Sequence, residues 1–214
     1  MIDSNFIKNA KIGTQNVSRE TLDLLKKYSL SILERNKEIN LISSNSEKSI
    51  NTRHILDSAQ VIDFIDKNEI NICTDLGSGA GLPGIVLAIL MKSKKPLFKV
   101  IFYEKSYHKS NFLKDMSKKF QLNTKIYQKN IFEQKNLQTD IIISRAFKPL
   151  PIVFDIALKN FKKFKYIILF LGKGGKKILN EASNKWSFDY EEKKSLTSND
   201  SLVIKISNLQ KKNG

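Results

Sequence analysis

The order of apolar and polar positions divides the chain into two regimes. From Ser18, the segment RETLDLLKKYSLSILERNKEIN places Leu22, Leu25, Leu30 and Leu33 at roughly helical spacing, which predicts an amphipathic helix. Ser18 is a candidate N-cap with Glu20 soon after it. ISSNSEKS, from Ile42 to Ser49, reads as a polar break, and a second helix is predicted over 50–65 from Ile55, Leu56, Ala59, Ile62 and Phe64. The period then changes. Short apolar runs at Ile72–Leu76, Phe98–Tyr103, Thr124–Gln128, Asp140–Ser144 and Tyr166–Leu171 predict five strands, the third the weakest. Helices are predicted between them at 82–91, 106–120 and 149–161, and after the fifth at 176–185. On the second of these helices Phe112, Leu113, Met116 and Phe120 share one face. Segments 187–191 and 201–206 look like a closing pair of strands. Such alternation predicts βαβ units and an α/β fold with a mostly parallel sheet. The boundary falls near Ile70, with a helical extension at 1–69 and the sheet domain at 70–214. No internal repeat or low-complexity segment interrupts this order.

Composition narrows the class. Apolar residues make up 41% of the 214 residues, which predicts a packed fold. The longest apolar runs, 84–91 and 166–171, fall far short of the ~20 residues that span a bilayer. The opening MIDSNFIKNAKIG has no apolar h-region and does not read as a signal peptide. The single cysteine, Cys73, cannot form an internal disulfide and is expected to be a buried packing residue. A cytoplasmic protein without membrane contact is therefore expected. The net charge of +16 suggests a polyanionic partner. The competing explanation is a solvated lysine surface swollen by an AT-rich genome. Arginine is rarer and more telling: only Arg19, Arg35, Arg53 and Arg145 occur, and arginine serves where a planar, multi-donor head matters.

The candidate chemistry lies between the first strand and the following helix, in TDLGSGAGLPG. Glycines there permit a sharp turn and close approach of a ligand to the main chain, and the helix start offers free N–H groups. A P-loop would need Lys-Ser/Thr after its last glycine, whereas Ile85 and Val86 follow Gly84. The dinucleotide fingerprint G-x-G-x-x-G fails because position 82 is Leu. What remains, Asp75-x-Gly77-x-Gly79-x-Gly81, resembles the loop of S-adenosylmethionine enzymes, which wraps the amino-acid end of the cofactor. Asp75 is then placed to meet its ammonium directly or through water. Glu104, at the end of the second strand, is placed to accept from ribose hydroxyls. Tight packing alone is the structural alternative for such a loop.

Three segments carry a more specific likeness: RHILDS (Arg53–Ser58), DLGSGAGLPG (Asp75–Gly84) and ISRAF (Ile143–Phe147), supported by Asn40-Leu41 and Lys173-Gly174. With them the chain resembles the bacterial small-subunit ribosomal RNA methyltransferase G family, also called glucose-inhibited division protein B, over most of its length. The resemblance implies a Rossmann-like class I methyltransferase fold, with a mostly parallel seven-stranded sheet, flanking helices and an N-terminal helical cap. It implies methyl transfer from S-adenosylmethionine to N7 of one guanosine of small-subunit (16S) ribosomal RNA, with no metal. Carried over by position, the cofactor contacts are Gly77, Leu82, Ile131, Phe132 and Arg145. Phe132 departs from the family, which usually has an acid there. Adenine binding survives if that contact uses the backbone and is lost if it uses the carboxylate. Asn199 and Asp200 stand where the family often has a basic residue, which puts one RNA contact in question.

Guanine N7 carries a lone pair and no proton. Methylation there needs no general base, and the work is alignment and electrostatics. Arg145, past the fourth strand, is placed to hold the cofactor or guanine O6, against the alternative of a surface arginine. Arg53 and His54 are candidates for RNA phosphate or for covering the cofactor, against a helix-surface pair bonded to Asp57. Lys173 is a candidate phosphate contact, against a loop lysine with no role. Phe147 is placed to stack on the base, with core packing as the rival, and His108 is expected on an exposed helix face. The remaining readings are a methyltransferase for another acceptor and a basic RNA-binding module with a degenerate pocket. A monomer is the default expectation.

Overall fold

The computed structural model describes residues 11–12, 15–65 and 69–212. Helix α1 spans Arg19–Asn36 and starts where expected, with Ser18 Oγ accepting the Thr21 N–H at 3.2 Å. It buries Leu25, Tyr28 and Ile32. The chain turns after α1 because Asn36 Oδ1 accepts the N–H groups of Leu41 and Ile42 at 2.8 and 2.9 Å. The polar break differs from expectation, since Ser44–Glu47 forms a short helix. Serine bonds explain it: Ser46 Oγ donates to the Ser43 carbonyl, and the Ser46 N–H bonds the same carbonyl.

The next helical stretch changes pitch twice. It is π-helical at Asn51–Leu56, α-helical at Asp57–Ala59 and 3-10 at Gln60–Phe64. A π turn widens the backbone and often marks a functional site. Here it carries Arg53 and His54.

The main sheet has seven strands: β1 Ile72–Leu76, β2 Lys99–Tyr103, β3 Thr124–Tyr127, β4 Ile141–Ser144, β5 Tyr166–Leu171, β6 Trp186–Lys194 and β7 Leu202–Lys211. Their order is β6-β7-β5-β4-β1-β2-β3. Strands β1 to β5 pair in parallel, while β7 runs antiparallel to both β5 and β6. The closing pair is longer than its apolar pattern suggests because β6 is mostly exposed. Helices α2 Gly84–Met91, α3 Tyr107–Lys119, α4 Leu150–Asn160 and α5 Gly175–Ser183 complete the alternation. Phe161, expected to end α4, instead opens a short strand, Phe161–Lys163, which pairs with Leu137–Gln138.

Two cores cover the two faces of the sheet. One joins α1 and the 50–65 segment to α2 and α3, through Tyr28, Ile55, Ile62, Leu87 and Phe112. The other packs α4 and α5 through Phe154, Ile156, Leu179 and Trp186. Helix α2 is buried at every position, which is why it is apolar on all sides. Cys73 is fully buried in the first core. Among the described residues, no helix is long and apolar enough to cross a membrane. Strand order reverses between β1 and β4, the place where open α/β sheets leave a crevice for ligands.

Candidate functional site

Beside that crevice lies a cavity of about 340 Å³, walled by Gly77, Gly79, Tyr103, Glu104, Ile131, Phe132 and Phe147 among others. Its floor is the glycine loop. Gly77, Gly79 and Gly81 have φ of +66°, +54° and +89°, values that strain any residue with a side chain. Three bonds fix the loop. The Gly77 N–H donates to the Tyr103 carbonyl at 3.1 Å. The buried Tyr28 hydroxyl, on α1, donates to the Ala80 carbonyl at 2.6 Å. Glu104 Oε2 accepts the Gly79 N–H at 2.9 Å, while its Oε1 accepts the Ser106 N–H at 2.8 Å. A Cβ on Gly79 would meet nothing nearer than the Gly77 carbonyl oxygen at 3.9 Å, so this cradle stands open. Over Gly77 the Phe147 ring already fills the space that a Cβ would take.

Asp75 lies under the loop, fully buried. Its Oδ2 accepts the Gly84 N–H at 2.9 Å, and its Oδ1 has no partner among the described residues. Burial pushes its pKa up to about 7, against the lowering effect of the Gly84 bond and with a smaller push from Glu104.

A second cavity of about 430 Å³ lies on the other side of the loop after β4, walled by Arg53, Asp57, Arg145, Phe170, Thr197 and Ser198 among others. Ala146 lines both cavities, with φ of +52°. Arg145 is held from several directions. Its Nε faces Asp57 Oδ2 at 3.2 Å, Nη1 donates to Ser58 Oγ at 3.2 Å, and Nη2 donates to the Arg53 carbonyl at 2.8 Å and to His54 Nδ1 at 2.9 Å. A guanidinium only donates, so His54 Nδ1 is the acceptor and the proton sits on Nε2. Nε2 then donates to Ser46 Oγ at 2.8 Å. Burial, with help from Arg145 and Arg53, lowers the His54 pKa to about 4. Asp57 also draws in the β6–β7 turn: its Oδ1 accepts from Ser195 Oγ at 3.1 Å and Thr197 Oγ1 at 2.8 Å.

The candidates read from the sequence thus separate into groups. Gly77, Gly79, Glu104, Ile131 and Phe132 line the first cavity. Arg53 and Arg145 line the second, with His54 bonded to Arg145. Asp75 is beneath the loop, and Gly81 is crowded by Ile85, Leu113 and Tyr28. Leu82 is buried in the first core. Lys173 is exposed and lines neither cavity. Four participants escape a reading by motif: Tyr28, Asp57 as a hub, Ser195 and Thr197. Only Asp57 had a signal, its place within RHILDS.

Comparison with known proteins agrees in sequence and in shape. A family model described as rRNA small subunit methyltransferase G matches residues 21–204. The chain is 49% identical over 204 residues to the ribosomal RNA small subunit methyltransferase G of Pelagibacter ubique, covering 94% of this chain and 95% of that protein. Its counterpart in Ruegeria pomeroyi is 34% identical, covering 91% and 94%. Among solved structures, a putative O-methyltransferase from Klebsiella pneumoniae superposes with a TM-score of 0.60 at 11% identity, covering 97% of this chain and 96% of that one. The 16S rRNA methylase RmtB superposes with a TM-score of 0.53 at 12% identity, covering 95% and 80%. These two likenesses show the fold, a Rossmann-like class I methyltransferase sheet.

Proposed function

Because the chain belongs to the rRNA small subunit methyltransferase G family, we propose that it moves the methyl group of S-adenosylmethionine to N7 of a guanosine in small-subunit (16S) ribosomal RNA. The observation that carries this reading is the pair of cavities meeting at Ala146, one floored by the glycine loop and the other walled by Arg145.

The residues of the first cavity suit S-adenosylmethionine. The open face of Gly79 admits a ligand against the main chain, as an added Cβ would not. Glu104 spends one oxygen on each of two backbone N–H groups, and a carboxylate offers about four lone-pair sites, so acceptors remain for ribose hydroxyls. Phe132 is 46% exposed and offers a ring to adenine, while its N–H is taken by Asn130 Oδ1 at 3.3 Å. Its side chain is therefore the better-placed partner. Asp75, Gly81 and Leu82 act by shaping the loop: Asp75 holds the Gly84 N–H and does not reach into the cavity.

When bound, the cofactor supplies a sulfonium methyl, an electrophile. Guanine N7 attacks with its own lone pair, so no residue has to remove a proton. Arg145 has both Nη2 protons engaged and one partner on Nη1. The second Nη1 proton is available to guanine O6. Arg53 and Lys173 are proposed RNA contacts. Both cavities form within one chain, which supports action as a monomer, and the ribosomal substrate supports a cytoplasmic location. In this scheme residues 70–214 carry the cofactor and the 1–69 extension supplies Arg53, His54 and Asp57.

The test is labelled methyl transfer to unmodified small subunits, with mapping of the modified base. Label on a guanine N7 in the subunit, and little on free guanosine, is expected. Equal turnover of free guanosine, or label on another atom, would sink the proposal.

A further inference from the structure

We propose that four lysines at the mouth of the cofactor cavity, Lys105, Lys109, Lys129 and Lys148, form a phosphate-binding rim for the RNA strand, and that RNA docked there strengthens binding of the cationic methyl donor. This rests on the reading that the substrate is RNA and the donor S-adenosylmethionine.

The first observation is a mismatch of charge. The cavity is lined by these four lysines and by one carboxylate, Glu104, which is 8% exposed. Among the described residues, no carboxylate forms an ion pair with any of the four. S-adenosylmethionine carries a sulfonium and an ammonium against one carboxylate. Its net charge is positive, so the rim opposes the ligand of its own cavity. A rim that repels the cofactor is matched to something else, and RNA brings a negative charge at every nucleotide.

The second observation is that the positive strip continues along the edge strand and is backed by aromatic rings. Lys125 and Lys129 place their ammonium groups 4.9 and 5.9 Å from the Tyr127 ring centre. Tyr127 stacks on Tyr103 at 5.2 Å, and Tyr103 is a wall of the cavity. Tyr107, between Lys105 and Lys109 in sequence, is 60% exposed. Lysines interleaved with an exposed ring, Tyr107, and a half-buried one, Tyr127, are the chemistry that tracks a single strand.

The two observations combine through linkage. Phosphates on the rim cancel its field and remove the repulsion of the cofactor. By reciprocity the cofactor strengthens RNA binding by the same factor. The reaction then reverses the preference. The S–CH3 bond breaks, the N7–CH3 bond forms, and the positive charge passes from sulfur to guanine. S-adenosylhomocysteine has no net charge and is not repelled. The RNA-free protein therefore favours the spent cofactor, and RNA shifts the preference back toward the fresh one.

Calorimetry on the full chain tests this, with S-adenosylmethionine and S-adenosylhomocysteine each titrated at low and high KCl, with and without a fragment of unmodified small-subunit rRNA. Raising the salt is expected to tighten S-adenosylmethionine about fivefold by screening the rim, and to leave the neutral homocysteine nearly unchanged. The RNA fragment should have the same selective effect. The combined variant Lys105→Gln, Lys109→Gln, Lys129→Gln, Lys148→Gln should bind S-adenosylmethionine more tightly at low salt and lose the response. Its RNA affinity should depend less on salt, by a slope of up to about 3 for a single strand. Single substitutions should shift each quantity in the same direction by less, which guards against misfolding of the combined variant. An affinity for S-adenosylmethionine that is flat or falls with salt, or lysine variants equal to the parent, would overturn the rim. If neither cofactor form binds, the methyltransferase reading itself fails. If both bind and the couplings hold without methylation of guanine N7, the rim stands and the acceptor assignment falls.

Discussion

Removing the Asp57 carboxylate should destabilise the protein through the charge it leaves behind. In Asp57→Ala the Arg145 guanidinium loses its counter-ion, and Ser195 Oγ and Thr197 Oγ1 lose their shared acceptor. The two side chains of the ion pair are 16% and 13% exposed, so water replaces little of what is lost. Breaking a buried pair costs about 3–5 kcal/mol. The lower end applies because Arg145 keeps Arg53, His54 and Ser58 as acceptors. About 3 kcal/mol should lower the melting temperature by roughly 6–12 °C for a chain of this size. Urea unfolding followed by circular dichroism measures the loss. A double-mutant cycle with Arg145→Met isolates the pair: once the guanidinium is gone, removing Asp57 should cost about 2 kcal/mol less. Methyl transfer should fall together with stability in Asp57→Asn, which keeps the shape but not the charge. If Asp57→Ala unfolds within about 0.5 kcal/mol of the parent, the range of an unremarkable surface change, Asp57 is no hub and the reasoning is refuted.

Other substitutions probe the loop and the histidine. Tyr28→Phe removes the hydroxyl bonded to the Ala80 carbonyl at 2.6 Å. It should cost about 1–2 kcal/mol in urea unfolding, leaving a buried carbonyl unpaired, and should weaken cofactor affinity in calorimetry. Gly79→Val combines a φ of +54° with a branched side chain in the open cradle, so cofactor binding should be lost; retained affinity would place the cofactor elsewhere. His54 has its pKa lowered from 6.5 to about 4 in the fold, so the unfolded chain takes up its proton first. The stability linked to it is complete above pH 6.5 and is lost as pH falls toward 4. Urea midpoints compared at neutral and mildly acid pH should fall further for the parent than for His54→Gln, and an NMR titration should find the Nε2–H tautomer through this window.

The sheet was legible in the sequence because buried parallel strands read as short apolar runs. DIIIS and YIILFL sit at β4 and β5, where both faces are covered. The glycine loop was legible because positive φ leaves glycine as its mark. The helix at Ser44–Glu47 was not, since it is held by serine side-chain bonds that leave no apolar period. Spacing alone points to Asp75 as a ligand partner. Its burial follows from the place of β1 between β2 and β4, a tertiary fact that spacing does not carry. RHILDS and ISRAF each stand out along the chain, but nothing local tells that Arg145 docks on the π turn of Arg53 and His54.

The hub at Asp57 bears on when the protein becomes competent during synthesis. Its partners are Arg145, 88 positions later in the chain, and Ser195 and Thr197, which follow it by 138 and 140 positions. Helix α1 leaves the ribosome before the loop and helices that cover its Leu25, Tyr28 and Ile32. A nascent chain halted before the β6–β7 turn would lack Thr197 and Ser198, one wall of the Arg145 pocket. The Arg145 pocket is therefore closed by residues made long after Asp57 and Arg145 themselves, so its walls come together only once the β6–β7 turn has been synthesised.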